Sequence, residues 1–240
     1  MQCRLPRRIG AAKALTATTM VVGEVITLEL NGAKKEFIVV QQGIPSASSL
    51  YDESCNGTWL LIKDIYEKRQ WYNLSQNDYA NSSINSYLNG DFISLFGSLE
   101  QSAIKQVKIP YRVGAGTGTT INSGANGLSV KAFLLGGYEL GWTTAQNANF
   151  PVDGAKLDYF IAGGEADAKA VRVANFNGTA TAWSMRSAHS SGTANVWATG
   201  TGGGATSVAC TNTGHGIRPP IIINPDAEIQ DNGDGTYSLA

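Results

Sequence analysis

Residues 183–223, WSMRSAHSSGTANVWATGTGGGATSVACTNTGHGIRPPIII, are the stretch around which the rest of this chain is organised. The stretch opens with an aromatic and apolar segment that carries one arginine, and it closes with GIRPP at residues 216–220 and an apolar strand. The residues from Ser187 to Ile217 include no Asp, Glu, Lys or Arg and are nearly all Ser, Thr, Ala, Gly and Asn. Two rigid ends around an uncharged middle predict a framework that presents a functional surface.

The overall composition indicates a globular domain with many turns. The chain has 240 residues, of which 42% are hydrophobic and 15% charged, so it can bury a sizeable core in one domain. Its 28 glycines predict turns and strands rather than long helices. The net charge of −1 and the lack of a basic cluster argue against nucleic acid as a partner. No apolar run approaches the ~20 residues that span a bilayer, so no membrane span is expected.

The cysteines and histidines predict no metal site and no cofactor. Cys3, Cys55 and Cys210 are far apart and form no CxxC pair, and the only histidines are His189 and His215. A disulfide between Cys55 and Cys210 is one alternative, and free buried thiols are the favoured one.

Turn signals near both ends of the chain predict β-hairpins. Asn31-Gly32 separates two β segments, residues 21–30 and 34–40, and supplies the positive φ angles of a type I′ turn. The sequence DNGDG at residues 231–235 is an incomplete calcium loop, and it predicts the turn of a terminal β-ribbon instead. Residues 1–19 are too polar for a signal sequence and predict a flexible or docking arm, followed by a single domain at residues 20–240.

The first half of the chain predicts short helices, and the second half predicts loop-rich, mostly antiparallel β-structure. Ser82 is the expected N-cap of the first helix, and SLEQ at residues 98–101 is the expected capping box of another. Short strands are predicted at residues 194–199, 207–211 and 221–223. The predicted fold class is therefore α+β.

Arg186 and Arg218 flank the uncharged middle of the opening stretch. We expect both to be buried and to make bidentate contacts with carboxylates or backbone carbonyls, which would clamp the base of the loop. Glu139, Asp64 and Glu67 are the expected carboxylate partners. The tryptophans are predicted to belong to the core rather than to a platform for stacking sugars.

Several segments, taken in order, resemble an uncharacterised family that is common in bacterial prophages. Its fold is related to C-type lectin-like domains and, more distantly, to formylglycine-generating enzymes. The matching segments are NGTWLL at 56–61, NSSI at 81–84 with YLN at 87–89 and Phe92, IKQVKIPY at 104–111, FLL at 133–135 with Glu139, WSMRS at 183–187, and GIRP at 216–219. The second tryptophan and the proline usual in the family are absent from AWSMRSA at 182–188, so the detailed surface is expected to depart from the family more than the fold.

The resemblance implies a C-type lectin-like domain whose long loop region, residues 183–219, is a variable ligand-binding face followed by a returning strand. In some relatives, retroelements diversify this face by turning AAY codons into NNY codons, which cannot encode Lys, Glu, Gln, Met or Trp. Between Ser187 and Ile217 only Trp197 lies outside the NNY set. The alternative is a Gly/Ser/Thr-rich loop whose composition merely excludes charges.

The expected residues of this face fall into two groups. The framework is expected to consist of Trp183, Arg186, Trp197 and Arg218. The expected ligand contacts are Ala188, His189, Ser190, Ser191, Thr193, Asn195, Thr199, Thr201, Ala205, Thr206, Ser207, Thr211, Asn212, Thr213 and His215.

Three functions follow from the resemblance. The favoured one is a phage- or prophage-encoded protein on the virion surface, made in the bacterial cytoplasm, that binds a host cell-surface protein or glycan. The alternative is a structural virion protein, such as a head decoration or tail accessory subunit. Its arm would dock to other virion proteins, and further copies of the chain are expected partners.

The third function, an enzyme of the formylglycine-generating type, is the least favoured. Those enzymes use a cysteine pair, whereas Cys55 and Cys210 lie in different motifs. Cys210 could be a nucleophile activated by His215 or an inert buried thiol, and the buried thiol is the favoured alternative. We therefore expect no catalytic residues.

Overall fold

The computed structural model describes residues 14–46 and 48–240, and strands dominate this part of the chain. The strands are β1 (Leu15–Thr16), β2 (Val25–Leu30), β3 (Ala33–Gln42), β4 (Thr58–Ile62), β5 (Glu67–Lys68), β6 (Val107–Ile109), β7 (Tyr111–Arg112), β8 (Ile121–Asn122), β9 (Leu128–Val130), β10 (Asn175–Phe176), β11 (Thr179–Ala180), β12 (Trp183–Ala188), β13 (Asn195–Thr199), β14 (Ala205–Ala209), β15 (Gly216–Ile217), β16 (Pro220–Ile223), β17 (Glu228–Asp231) and β18 (Thr236–Leu239).

Helices are few and short. They are α1 (Ser83–Tyr87), α2 (Ser98–Ala103) and α3 (Ala166–Ala170), with a π-helical turn at Leu88–Phe92 and 3-10 turns at Ala17–Thr19, Ser48–Leu50, Glu53–Cys55 and Gly124–Asn126. The fold is therefore mostly β with a few short helices. The third helix lies in the second half, where mostly β-structure was expected. No helix in the part of the chain that the structure describes is long and apolar enough to cross a membrane.

The first sheet joins the two ends of the described chain. Its strand order is β1-β17-β18-β2-β3-β4-β16. The predicted hairpin is confirmed as β2 and β3, because Asn31 (φ 54°) and Gly32 (φ 69°) both have the positive φ angles of a type I′ turn. The predicted ribbon at the end of the chain is confirmed as well, and β17 and β18 form it.

The residues just before position 20 belong to this sheet. Leu15 pairs with Ile229 across β1 and β17, and Ala17 is fully buried in the core. The predicted boundary of the arm at residue 19 is therefore wrong, because backbone pairing with a strand more than two hundred residues away orders this segment. The rest of the predicted arm, residues 1–13, lies outside the described residues.

The two predicted helix starts have different outcomes. Ser82 is confirmed as the N-cap of α1, because its Oγ accepts a hydrogen bond from the Asn85 N–H at 3.2 Å. The capping box at residues 98–101 is wrong, since Gly97 is the N-cap of α2 and Ser98 is its first helical residue. The Glu100 side chain instead accepts a hydrogen bond from the Glu29 N–H of β2 at 2.9 Å.

The second sheet is built from the opening stretch and has the order β14-β13-β12-β15-β5. All six residues of β12 are buried, and β14 forms an edge with mostly exposed side chains. The close approach of β15 to the chain before β5 requires Gly216, because a Cβ there would lie only 2.4 Å from Ile65 Cγ2. After β15 the chain returns to the first sheet as β16, which pairs antiparallel with β4.

One hydrophobic core includes residues of both sheets. Trp59 of β4 packs edge-on against Phe133 with ring centroids 5.6 Å apart. Trp71 and Trp183 are also buried, and each indole N–H donates to a backbone carbonyl, that of Met185 and that of Arg172 respectively. The tryptophans named here were predicted to belong to the core, and the structure places them there.

Candidate functional site

Arg186 of β12 is the centre of the base of the predicted binding region. Its Nη1 and Nη2 atoms donate to Glu139 Oε2 and Oε1 at 2.5 and 2.7 Å, and both side chains have no exposed area. The guanidinium also donates to the carbonyls of Pro110 and Leu134. Burial disfavours the charged form, yet the Glu139 carboxylate holds the pKa of Arg186 above its usual value. The predicted buried bidentate pair of Arg186 with Glu139 is therefore present.

Asp153 is a second buried carboxyl group in the same cluster. Its two carboxylate oxygens lie 2.9 and 2.7 Å from Ser187 Oγ, which also accepts a hydrogen bond from the Gly137 N–H. Burial raises the pKa of Asp153 to about 6, although the charge of Arg186 acts in the opposite direction. One guanidinium thus faces two carboxyl groups, and the cluster is closest to neutral when Asp153 holds its proton.

We expect this carboxyl group to make folding stability depend on pH. The folded protein binds a proton at Asp153 up to about pH 6, whereas an unfolded aspartate releases it near its ordinary pKa of 3.8. The resulting stabilisation, about 3 kcal/mol, is complete below the unfolded pKa of Asp153 and is lost as the pH rises through the folded pKa. Urea unfolding of the wild type and of Asp153→Asn between pH 4 and 7.5 measures it. The fall of the unfolding free energy with rising pH should be absent from Asp153→Asn. An equal dependence of the unfolding free energy on pH in both proteins would contradict the assignment to Asp153.

Arg218 lies between β15 and β16 and is also buried, but no carboxylate of the described residues pairs with it. Its Nε and Nη2 atoms donate to the backbone carbonyls of Ile62 and Lys63, each at 2.8 Å. Burial lowers its pKa to about 10. Arg218 thus contacts backbone carbonyls, which was one of the two predicted kinds of partner. The two carboxylates that were also expected as partners bind elsewhere: Glu67 pairs with Arg69, and Asp64 accepts a hydrogen bond from the Asn175 N–H.

Trp197 of β13 stands inside a stack of aromatic rings. Its ring lies between Phe150, at a centroid distance of 4.1 Å, and His189, at 4.6 Å. Trp142 extends the stack behind Phe150, and the Arg172 guanidinium covers Trp142 at 4.0 Å. Trp197 is only 4% exposed, and its indole N–H donates to the Asn149 carbonyl. Its predicted framework role agrees with this position, and the half-buried His189 ring forms the outer end of the stack.

Asn77 holds the turn between β12 and β13, and it was not among the predicted site residues. Its fully buried side-chain amide donates to three backbone carbonyls of that turn, those of His189, Gly192 and Asn195, at 2.6–3.3 Å. Its Oδ1 accepts from Arg112 Nη2 at 2.7 Å and from the Gly116 N–H. Asn77 stands in a polar segment, QNDY, that gives no local sign of this role.

The exposure of the fifteen expected ligand contacts varies. Two are wrong, because Ala188 is 2% and Thr199 0% exposed and both side chains belong to the protein interior. The half-buried contacts are His189, Ser190, Asn195, Ala205 and His215. The eight exposed contacts are Ser191, Thr193, Thr201, Thr206, Ser207, Thr211, Asn212 and Thr213.

The structure brings some of these contacts together and separates others. Since β12 and β14 both pair antiparallel with β13, the turn at residues 189–194 and the segment 210–213 emerge at the same end of the sheet. The Cys210 N–H donates to the Ala194 carbonyl and joins them there. The turn at residues 200–204 lies at the opposite end, where a Cβ at Gly203 would approach the Lys169 carbonyl of α3 to 1.9 Å.

The cysteines and histidines lack the features of an activated nucleophile. Cys55 and Cys210 are both free and buried, and burial raises the pKa of each thiol to about 12. This agrees with the favoured expectation of free buried thiols. Burial also lowers the pKa of His189 and of His215, so both rings are favoured in the neutral form. No group of three or more His, Cys, Asp or Glu residues within the described ranges is placed to hold a metal ion.

One comparison with known proteins gives a match. A family model described as a domain of unknown function (DUF6273) matches residues 56–225. The match runs from just before β4 to just after β16, so it includes the second sheet, Asn77 and the Arg186 cluster. Neither the curated proteins nor the solved structures include a significant match to this chain.

Proposed function

We propose that this chain, which belongs to the DUF6273 family, is a binding protein that presents exchangeable side chains on a C-type lectin-like scaffold. The presented surface consists of the exposed residues of the turn at 189–194, of the edge strand β14 and of the segment 211–213. Its ligand is a protein or glycan on a host cell. The protein is phage-encoded and lies on the virion surface.

The observation that carries this proposal is how the turn between β12 and β13 is held. Asn77 binds it through three backbone carbonyls, and the Asn149 carbonyl accepts from the Ser190 N–H. These hydrogen bonds are independent of the side chains at Ser191 and Thr193, which are exposed. A turn whose conformation is fixed through its backbone can change its side chains without losing its shape, and a pre-ordered surface loses little entropy on binding.

The distribution of buried positions supports diversification of the surface by NNY codons. Trp197, the one residue between Ser187 and Ile217 that NNY cannot encode, is enclosed between Phe150 and His189. A framework residue of this kind would stay constant while exposed neighbours change. Trp197, which an NNY codon cannot encode, thus stands where a substitution would disrupt the packing of the aromatic rings.

The chain path supports the C-type lectin-like part of the proposal. A long loop region followed by a returning strand is what the resemblance implies. Here the strands β12–β15 and their loops form the second sheet, and β16 then returns to pair with β4 of the first sheet. The buried Arg186 and Arg218 lie at the two ends of this excursion.

Population sequencing of the gene tests the proposal. We expect substitutions to concentrate in NNY codons at the exposed positions such as Ser191, Thr193 and Asn212. The buried positions Ala188, Trp197 and Thr199 in the same stretch are the internal control and should remain constant. Substitutions spread evenly over residues 56–225, or as frequent at the buried positions as at the exposed ones, would exclude a diversified surface.

A further inference from the structure

An open groove lies beside the segment 210–215 and uses none of the residues of the surface proposed above. Eight residues line it, all of them polar or aromatic, and among them are Arg69, Tyr72, Asn81, Tyr87 and Asp91. Its volume of about 550 Å³ falls within the ~300–1,000 Å³ that small-molecule sites occupy. Because no aliphatic side chain contributes to the lining, the groove is unsuited to a lipid or another purely apolar ligand.

Arg69 is held in one orientation at this groove. Its Nε donates to Glu67 Oε1 at 2.7 Å, and its guanidinium carbon lies 3.6 Å from the centre of the Tyr87 ring. The backbone N–H of Arg69 donates to the His215 carbonyl, which ties the residue to the second sheet. A guanidinium fixed by stacking and by one hydrogen bond loses little freedom when it binds a ligand.

The outer nitrogens of Arg69 remain available to a ligand. Among the described residues, the Arg69 side chain donates through Nε to Glu67 and has the Tyr87 hydroxyl nearby, and it keeps 39% of its area exposed. Its two Nη atoms therefore offer the parallel N–H donors that match the two oxygens of a carboxylate. This geometry distinguishes Arg69 from Arg186 and Arg218, whose guanidinium groups are buried and bound to protein atoms.

The other lining residues suit a ligand rich in hydroxyl groups. The amides of Asn73 and Asn81 and the carboxylate of Asp91 are exposed and can exchange hydrogen bonds with hydroxyls. The half-exposed ring of Tyr72 offers an apolar face with a polar tip, on which the C–H face of a sugar ring can pack. The negative charge of Asp91 disfavours ligands with many negative charges, such as nucleic acids.

We propose that this groove binds an acidic monosaccharide unit of a glycan, with its single carboxylate on Arg69, its ring against Tyr72 and its hydroxyls on Asn73, Asn81 and Asp91. The site does not rest on the diversified surface of residues 188–215. The groove lies next to that surface, because the Tyr72 N–H donates to the carbonyl of Cys210, which directly precedes the segment 211–213. The groove would therefore bind the same sugar unit while the side chains of the neighbouring surface change.

Titration of the full chain with sodium glucuronate, followed by NMR or calorimetry, tests the site. Glucose provides the same hydroxyls without the carboxylate, and sodium acetate provides the carboxylate without the ring. We expect glucuronate to bind with a Kd of about 1–10 mM, and glucose and acetate to bind at least about ten-fold more weakly. No binding of glucuronate, galacturonate or N-acetylneuraminate would overturn the proposal, and so would acetate binding as tightly as glucuronate.

Substitutions at the adjacent positions 68 and 69 distinguish binding in the groove from a general effect of the protein's charge on glucuronate binding. Arg69→Gln should weaken glucuronate binding at least about ten-fold, and Arg69→Lys should weaken it nearly as much because the fork of two donors is lost. Lys68→Gln is the control, since Lys68 is an exposed cation that lies over Phe176 and not in the groove. All variants should keep the melting temperature of the wild type. Unchanged binding by folded Arg69→Gln, or equal losses in Arg69→Gln and Lys68→Gln, would overturn the assignment.

Discussion

Replacement of Arg186 by methionine is expected to lower the free energy of unfolding by about 3–5 kcal/mol, because it leaves a buried carboxylate without its partner. Glu139 has no exposed area, and Arg186 is its cationic partner, whereas its other donors, Tyr51 Oη and the Gly136 N–H, are neutral. The loss corresponds to a fall in melting temperature of roughly 10 °C for a chain of this size. Urea unfolding followed by tryptophan fluorescence measures it, since buried tryptophans report on the core.

Arg218→Met is the matched control for this prediction. It also removes a buried arginine, but the groups left behind are two backbone carbonyls rather than a carboxylate. We expect a loss of about 1–2 kcal/mol. The double variant Arg186→Met/Glu139→Leu should recover much of the stability lost in Arg186→Met, as replacement of a whole buried ion pair often does. Losses that simply add in the double variant would show that the pair is not energetically coupled.

Asn77→Leu is expected to cost about 3 kcal/mol and to release the turn between β12 and β13, because it removes a donor from three carbonyls and an acceptor from Arg112 and Gly116. Leucine keeps the branch at Cγ but offers neither a donor nor an acceptor there. Hydrogen exchange should speed up most at the amide of Gly116 and at the amides of residues 189–195. Chemical denaturation of the same variant gives the global loss.

The control for Asn77 changes the side chains of the same turn. In Ser191→Tyr/Thr193→Lys both substituted residues are exposed, and Asn77 continues to hold the backbone. We expect the stability of this variant to stay within about 0.5 kcal/mol of the wild type. A loss as large as that of Asn77→Leu would mean that the turn depends on its own side chains, and it would remove the main support for an exchangeable surface.

Features that depend on neighbouring residues could be predicted from the sequence. The turn at Asn31-Gly32 and the N-cap at Ser82 are local, since each satisfies backbone groups within a few positions. The capping box at residues 98–101 fails for the opposite reason. Gln101, which would complete the box, donates to the Phe96 carbonyl, and Glu100 fixes this turn to the Glu29 N–H, 71 positions away, so the helix starts one residue earlier than the local pattern predicts.

In the candidate site, too, features set by neighbouring residues could be predicted, and features set by distant contacts could not. The arginines of WSMRS and GIRP, Arg186 and Arg218, were expected to be buried at the base of the loop, and both are. Composition does not reveal which side of a strand faces the core, so Ala188 and Thr199 were expected on the surface and are buried. Asn77 and the groove at Arg69 require contacts between distant segments, such as the 112–118 positions between Asn77 and the carbonyls it binds.

The pairing of β18 with β2 has a consequence for how the chain folds. These parallel strands join Ile26 to Tyr237, and β1 joins Leu15 to Ile229 in the same sheet. During synthesis, β2 and β3 can form their hairpin early, but β2 lacks its second neighbour until β18 has been made. Contacts of such long sequence separation slow folding. Until then β2 has an uncovered strand edge that is open to association with other chains.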